Sequence, residues 1–303
     1  MPPKAMPPPA APTSAFAAAP SVRAGVALML LGMLLFSLND VMGKWLVATY
    51  SVGQVLLIRS FAGLVALTPF IWAAGAASLF RIERPGLQAL RAALATVEVF
   101  CFYAAVQYLP LADAMTYWLA APIYVAALSP LLLGERVGWR RWCAIAVGFG
   151  GVVIAMGPSA AALSPAALYA LVGSLTFGLM ILTGRMLRGT PDVALVFWQM
   201  AAALAAGAVT ARHGWVTPDA AALALLSALG VVALAAHVCV NRALKFADAA
   251  TISPLQYTLL LWALVFGWLF FGDLPERRML LGAAIIVGAG LFIFFRERQR
   301  GRG

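Results

Sequence analysis

A small set of charged and amide side chains lies inside long apolar stretches of this sequence, where a helix facing lipid would carry none of them. They are Asn39, Asp40, Lys44, Arg59, Glu98 and His237. A charge within a bilayer costs about 2.5–3.5 kcal/mol on insertion scales, so such residues usually face the interior of a helix bundle. We therefore treat them as candidates for binding a polar solute or for carrying a proton.

The first helix concentrates three of these groups in the stretch LFSLNDVMGKW, residues 35–45. Asp40 and Lys44 are spaced to share one helix face. They can form an ion pair along the helix, or they can line a cavity. Asn39 points about 100° away from Asp40 and can bind either a substrate or a neighbouring helix.

Arg59, Glu98 and His237 allow further alternatives. Arg59 can extend to the lipid headgroups, or it can grip a carboxylate through two hydrogen bonds. Glu98 can form an ion pair with Arg59 or Lys44, or it can titrate during a reaction cycle. His237 can carry a proton, because the ordinary pKa of imidazole is near 6.5, or it can simply satisfy a buried hydrogen bond.

Aromatic and amide residues accompany these groups, and a second set of residues favours helix bending. An apolar cavity with aromatic walls and a few polar groups suits a small amphipathic or cationic ligand, whereas aromatic residues near helix ends form an interfacial belt. The candidates for cavity walls are Tyr103, Tyr117, Trp118, Tyr124, Trp198, Gln199, Gln256, Tyr257 and Trp262. Prolines release backbone hydrogen bonds and permit kinks, and the candidate hinges are Pro122, Pro130 and Pro254.

The composition places the chain in a membrane. Of its 303 residues, 63% are hydrophobic and 11% are charged, against about 45–50% and about 25% in soluble domains. The net charge of +10 is scattered between apolar runs, which is typical of cytoplasmic loops and argues against a nucleic-acid partner. The two histidines, His213 and His237, are too few for a zinc cluster. We therefore expect no metal, no cofactor and no catalytic residues, and an intramembrane enzyme or a channel is only a remote alternative.

The apolar runs predict ten membrane-spanning helices, each close to the roughly 20 residues that cross a bilayer. The predicted limits are 25–47, 53–75, 89–108, 113–133, 141–157, 165–184, 192–211, 219–246, 250–271 and 279–295. Most of the 21 Lys and Arg then fall on the side of the termini, which predicts that both termini are cytoplasmic. Residues 1–22 are predicted to be a disordered tail and residues 297–303 a basic tail.

An internal repeat relates the two halves of the chain. Residues 103–156 align without a gap on 241–294, so that Gly134 meets Gly272 and Glu135 meets Asp273. An earlier echo pairs GKWL at 43–46 with GRML at 184–187. The repeat predicts two units of five helices, 23–158 and 159–296. An odd number of spans inverts the second unit, and inverted repeats are typical of secondary transporters with a central site.

Two motifs carry a resemblance to a known family. LLLGERVGW, residues 131–139, and LFFGDLPER, residues 269–277, each join the last two spans of a unit. With two five-span units, they make the chain similar to the drug/metabolite transporter superfamily, and in particular to its ten-span EamA family. The resemblance implies a central cavity and alternating access. Small four-span relatives exchange protons through a glutamate in their first span, and this chain has Asn39 and Asp40 there instead.

The expected function follows from the repeat and the resemblance. We expect an all-α polytopic protein of the bacterial inner membrane whose ten helices form two inverted repeats around a central cavity. It is expected to be a secondary transporter, most simply an exporter of amino acids, aromatic ones included. An importer of S-adenosylmethionine or an efflux carrier for cationic drugs or metabolites is the alternative. The expected partners are a small-molecule substrate and membrane lipids, and two repeats in one chain are compatible with a monomer.

Overall fold

The computed structural model describes residues 22–134, 138–156, 164–187, 189–246 and 253–300, and within them all regular secondary structure is helical. The first half contains α1 (Val22–Val47), α2 (Val52–Ala74), a 3₁₀ helix (Ala76–Phe80), α3 (Pro85–Val106), α4 (Leu111–Trp118), α5 (Ala121–Leu133) and α6 (Trp139–Met156). The second half contains α7 (Pro165–Met186), α8 (Asp192–Thr210), α9 (Ala220–Phe246), a 3₁₀ helix (Ser253–Tyr257), α10 (Thr258–Phe266), a π-helical turn (Gly267–Phe271) and α11 (Arg277–Arg300). Apart from Val22, the predicted N-terminal tail lies outside the described residues, as do Glu135, Arg136 and residues 301–303.

The membrane class predicted from composition is confirmed. Within the described ranges, seven helical stretches are long and apolar enough to cross a bilayer. They are Arg23–Val47, Val52–Ala74, Pro85–Val106, Leu111–Leu133, Pro165–Gly184, Asp192–Thr210 and Ala220–Val240. Two shorter apolar helices, Trp142–Ala155 and Leu255–Phe271, coincide with the predicted fifth and ninth spans. The predicted tenth span lies within α11.

The fourth and ninth predicted spans are not continuous α-helices. Leu119 and Ala120 separate α4 from α5, and Pro122 lies in the first turn of α5. Pro130 lies inside α5, and Pro254 lies in the 3₁₀ turn that precedes α10. All three candidate hinge prolines are thus in the two interrupted segments.

Two glycines that the repeat alignment pairs end helical segments in the same way. Gly134 follows α5 with φ 68°, and Gly272 follows the π-helical turn with φ 69°. Both angles are in the left-handed region, which glycine enters without a Cβ clash and which commonly ends a helix. The equivalent positions therefore have the same backbone conformation.

The most extensive helix contacts join the first half of the chain to the second. α1 packs against α9, α2 against α8, α3 against α7, and α6 against α11. Smaller contacts, α2 with α9, α3 with α8, α5 with α7 and α1 with α10, also cross between halves. The two halves therefore interdigitate instead of forming separate bundles.

Glycines allow the closest of these crossings. A Cβ on Gly53 of α2 would meet the backbone of Thr210 and Ala211 at the end of α8. A Cβ on Gly207 of α8 would meet the backbone of α2, and one on Gly230 of α9 would meet the carbonyl of Arg59. Small residues of this kind let membrane helices approach backbone to backbone. The crossing of α9 over α2 sets the position of Arg59.

Candidate functional site

A cavity of about 570 Å³ lies between the two halves of the chain. Its volume is within the range of about 300–1,000 Å³ that is usual for small-molecule sites. Side chains from α1, α2, α3 and α4 meet side chains from α7, α8, α9 and the segment before α10 around it. The polar side chains that line it are Asn39, Asp40, Arg59, Ser60, Glu98, Gln199, His237 and Gln256, and the aromatic ones are Phe36, Phe102, Tyr103, Trp118, Phe177 and Tyr257.

On α1, the two adjacent polar residues have different environments. The amide nitrogen of Asn39 donates a hydrogen bond of 2.7 Å to the carbonyl of Leu229 on α9. Of the two alternatives for Asn39, the structure thus shows binding to a neighbouring helix. Asp40 also lines the cavity, and it interacts electrostatically with Arg59 and Glu98. The carboxylate of Asp40 is therefore one of three charged groups directed at the same space.

Arg59 supplies the positive charge of this cavity. Its guanidinium lies over the ring of Tyr103, 5.3 Å from the ring centroid. It interacts electrostatically with Asp40 and Glu98, so it lies within the cavity's charged cluster. A guanidinium presents a planar fork of donors that matches a carboxylate. The geometry at Arg59 therefore suits the binding of a carboxylate-bearing ligand.

Glu98 is held by an aromatic partner. The indole nitrogen of Trp118 donates a hydrogen bond of 2.8 Å to the Glu98 carboxylate. Trp118 packs edge-on against Phe102, with 5.2 Å between ring centroids. This contact fixes the carboxylate of α3 and the indole of α4 side by side on the cavity wall. A cationic ligand group would meet a carboxylate next to a π surface, which is a favourable arrangement for cations.

His237 lines the cavity from α9. Its Nδ1 lies 2.7 Å from the carbonyl of Ala233, and its ring meets Phe36 edge-on at 4.8 Å. Because a carbonyl only accepts, Nδ1 carries the proton in this contact, and Nε2 is left as an acceptor. His237 can thus offer a hydrogen-bond acceptor to a ligand.

Five predicted wall residues do not line this cavity, and Lys44 is the first of them. Lys44 was predicted to pair with Asp40 along α1 or to line the cavity. Its ammonium instead binds the carboxylate of Asp273 at 2.7 Å and lies 4.6 Å from the centroid of the Phe271 ring. Asp273 lies between the π-helical turn and α11, so the partner of Lys44 comes from outside its own helix.

The other four are aromatic residues that pack against protein. Tyr117 is buried in the core, and the Tyr124 hydroxyl accepts a hydrogen bond of 3.4 Å from Ser174. The Trp198 indole donates to the carbonyl of Leu79 at 3.0 Å, and Trp262 stacks on Phe266. Tyr124 and Trp198 thus have hydrogen-bond partners within the fold, as buried Tyr and Trp usually do.

The sequence reasoning also missed cavity residues. Phe36, Phe102 and Phe177 line the cavity together with Met33 and Met200. Phe102 could have been found, because it is four residues after Glu98 and therefore shares its helix face. Phenylalanine and methionine are otherwise so common in membrane helices that residue type alone does not distinguish a wall from a lipid contact.

Comparisons with known proteins agree with this architecture. The model of the EamA-like transporter family matches the chain twice, over residues 23–157 and 164–295. A riboflavin transporter of Rhizobium johnstonii is 32% identical over 283 residues, covering 92% of this chain and 93% of that protein. An S-adenosylmethionine uptake transporter of Rickettsia prowazekii is 26% identical, covering 91% and 94%.

Two further matches extend the comparison. A pseudopaline exporter, CntI, of Pseudomonas aeruginosa is 26% identical, covering 88% of this chain and 95% of that protein. A protein of known crystal structure matches with a TM-score of 0.63 at 18% identity, covering 91% of this chain and 98% of that one. This last likeness concerns the fold alone.

Membrane-length helices around a charged cavity with aromatic walls define a membrane transporter of small molecules. The double match over nearly all of the chain makes the assignment specific. The chain belongs to the EamA-like transporter family, within the drug/metabolite transporter superfamily, as the motifs predicted.

Proposed function

We propose that this chain is a secondary carrier that moves a small amphipathic metabolite with an amino-acid head group across the bacterial inner membrane. Transport proceeds by alternating access between two inverted halves, residues 23–158 and 159–296. The observation that carries the proposal is the cavity between the halves, where Arg59 faces Asp40 and Glu98 among aromatic rings. A zwitterion with a ring matches these three elements.

Three observations support the inverted repeat. In the repeat, α1, α2, α3 and α6 correspond to α7, α8, α9 and α11. The contact of α1 with α9 therefore corresponds to the contact of α7 with α3, and both are observed. The contacts α2–α8 and α6–α11 each join a helix to its own counterpart. The paired glycines Gly134 and Gly272 share a left-handed backbone. The family model matches each half separately. Because each half has five predicted spans, such a symmetry reverses one half relative to the membrane. The cytoplasmic placement of both termini rests on the distribution of Lys and Arg.

The charges of the cavity narrow the substrate class. Arg59 suits a carboxylate, while Asp40 and Glu98 suit cationic groups. One guanidinium and two carboxyl groups thus offer one position for an anionic group and two for cationic groups. S-adenosylmethionine has a carboxylate, an ammonium, a sulfonium and a purine ring, and it therefore matches both the charges and the walls. The Rickettsia relative is an uptake transporter for this compound.

Amino-acid export, the function that the sequence predicted first, is the second candidate. The rings of Phe102, Trp118 and Tyr257 suit an aromatic side chain. A neutral amino acid has only one cationic group, however, and it fills less of a cavity of about 570 Å³ than a nucleoside does. Riboflavin, which the Rhizobium relative transports, has neither a carboxylate for Arg59 nor a cationic group for Asp40 and Glu98. These arguments rank S-adenosylmethionine before an aromatic amino acid.

Counterflow in proteoliposomes tests the proposal. Vesicles containing the purified protein are loaded with unlabelled S-adenosylmethionine, and the accumulation of labelled S-adenosylmethionine is followed with phenylalanine and riboflavin as competitors. We expect saturable accumulation that Arg59→Gln abolishes. The exposed Arg212 serves as the matched control in Arg212→Gln, which should accumulate label as the wild type does.

Each other outcome has a definite meaning. Saturable exchange of phenylalanine or tryptophan without exchange of S-adenosylmethionine would reassign the substrate to amino acids. Absence of saturable exchange with S-adenosylmethionine, amino acids and riboflavin alike would contradict the proposed carrier function. Currents far faster than carrier turnover would indicate a channel instead.

A further inference from the structure

Arg91 is an interior cation that the cavity described above does not include. It lies in α3, a helix of membrane length, and within the described part of the chain no carboxylate forms an ion pair with it. Its Nη1 donates to the carbonyl of Leu195 and to the side-chain oxygen of Gln199, both at 3.4 Å, and its Nε is buried without a partner. Both hydrogen bonds are longer than the usual 2.7–3.2 Å for N–H···O bonds. The guanidinium is thus held by two long hydrogen bonds and keeps one buried donor, Nε, without a partner.

Arg91 continues the cavity-lining face of α3. Ala95, Glu98 and Phe102 line the cavity, and Arg91 precedes them at the same helical spacing. With Gln88, these residues lie within an arc of about 80° on the helix surface. Arg91 therefore lies on the same stripe about 10 Å from Glu98 along the helix axis, toward the N-terminus of α3. Its partner Gln199 itself lines the cavity, so Arg91 is one contact away from it.

Gln88 adds a second unpartnered group on this stripe. Its side chain is 2% exposed, and neither the oxygen nor the nitrogen of its amide has a hydrogen-bond partner. Ser78 and Thr190, at the same end of the bundle, also have buried hydroxyls without partners among the described residues. Buried polar groups are almost always hydrogen-bonded, because an unpaired one loses its interactions with water. Donors that are uncommitted at adjacent positions suggest that a transient ligand engages them.

We infer that Arg91 and Gln88 form a second carboxylate-binding position on the transport path, between the central cavity and the end of the molecule that carries the N-terminus of α3. The substrate carboxylate moves between Arg59 and Arg91 during each cycle. In the predicted orientation this end is cytoplasmic. The inference rests on the proposed function and adds a directional element to it, because the second position is reached first from the cytoplasmic face.

Measuring transport separately from each face of the membrane tests the inference. Inside-out vesicles report the half-saturation concentration at the cytoplasmic face, and right-side-out vesicles report it at the outer face. Loss of a charge-assisted hydrogen bond in Arg91→Gln should raise the cytoplasmic value for S-adenosylmethionine about tenfold. The half-saturation concentration at the outer face should change by less than about twofold, because a substrate that enters from that side meets Arg59 first. Decarboxylated S-adenosylmethionine should not respond to Arg91→Gln at either face. If the carrier prefers amino acids, phenylalanine and phenethylamine form the corresponding pair of probes.

Two further variants separate binding from structural support. Arg84→Gln changes an exposed arginine immediately before α3, and it should leave both values unchanged. Gln88→Leu removes an unpaired amide at similar volume, so it should raise the unfolding temperature while it raises the cytoplasmic half-saturation concentration about threefold. A variant that is more stable but binds substrate more weakly is expected when the replaced group serves binding. It is not expected when the group supports the fold.

The contrary results are equally specific. Equal effects of Arg91→Gln at both faces, equal effects on the decarboxylated probe, or no effect at either face would each overturn the inference while leaving the carrier function intact. Wild-type protein that transports neither S-adenosylmethionine nor phenylalanine would remove the proposed function, and the inference with it.

Discussion

The ion pair between Lys44 and Asp273 allows a quantitative prediction, because it joins the end of α1 to the turn that follows the π-helical segment. The Nζ–Oδ2 distance is 2.7 Å, and the two side chains are 15% and 27% exposed. Exposed pairs contribute at most about 1 kcal/mol, whereas breaking a fully buried pair costs about 3–5 kcal/mol. We therefore expect Asp273→Asn to lower the free energy of unfolding by about 2 kcal/mol.

Lys44→Met should cost slightly more, because it also removes the contact of the ammonium with the ring of Phe271, 4.6 Å away. Such a contact contributes about 0.5–1 kcal/mol. The double variant should be little worse than Lys44→Met alone, which gives a coupling energy of about 2 kcal/mol. Neutral substitutions are preferable to a charge swap, because Asp113 interacts electrostatically with both members of the pair.

Reversible unfolding of the purified protein in mixed detergent micelles measures these free energies. The cycle is repeated at low and at high salt, because a partly buried pair is screened less than an exposed one. A coupling energy below about 0.5 kcal/mol, or one that high salt abolishes, would refute the reasoning that this pair stabilises the described conformation.

Two further predictions concern the cavity wall. Glu98→Gln keeps an oxygen that accepts from Trp118, so the free energy of unfolding should change by less than about 1 kcal/mol, while uptake of a cationic substrate falls about tenfold; unchanged uptake would argue against a role for the carboxylate in binding. In Gly290→Ala the new Cβ would overlap the Tyr257 hydroxyl, and displacement of this wall residue should raise the half-saturation concentration about tenfold. Gly288→Ala, which has no neighbouring atom within 4 Å, should transport as the wild type does, and equal behaviour of the two glycine variants would contradict this account.

Much of the fold could be predicted because the bilayer imposes simple constraints. The predicted first span, 25–47, lies within α1, and the predicted seventh, 192–211, differs from α8 by one residue. The break at Leu119 and Ala120 could not be predicted, because hydropathy does not detect interrupted backbone hydrogen bonds. The π-helical turn before Gly272 could not be predicted for the same reason.

The candidate site was predictable to a similar extent. Asp40, Arg59 and Glu98 line one cavity, as expected for charges that avoid lipid. Lys44 was misplaced because its partner, Asp273, is 229 residues away in the sequence. Local spacing reveals partners within one helix, but it does not reveal partners that only the packing of two halves brings together. The roles of Asp40, Arg59 and Glu98 in binding stay predictions.

The glycine crossings of α2 with α8 and α9 restrict which residues of this chain can change when its substrate specificity changes. At Gly53, Gly207 and Gly230 the backbones of two helices are in contact. A smaller side chain is therefore impossible there, and a larger one does not fit. Directed evolution toward a different solute should therefore accumulate changes in the rings that surround Arg59. The helix crossings that position Arg59 should stay unchanged. Substrate specificity can then change while the position of the Arg59 charge does not.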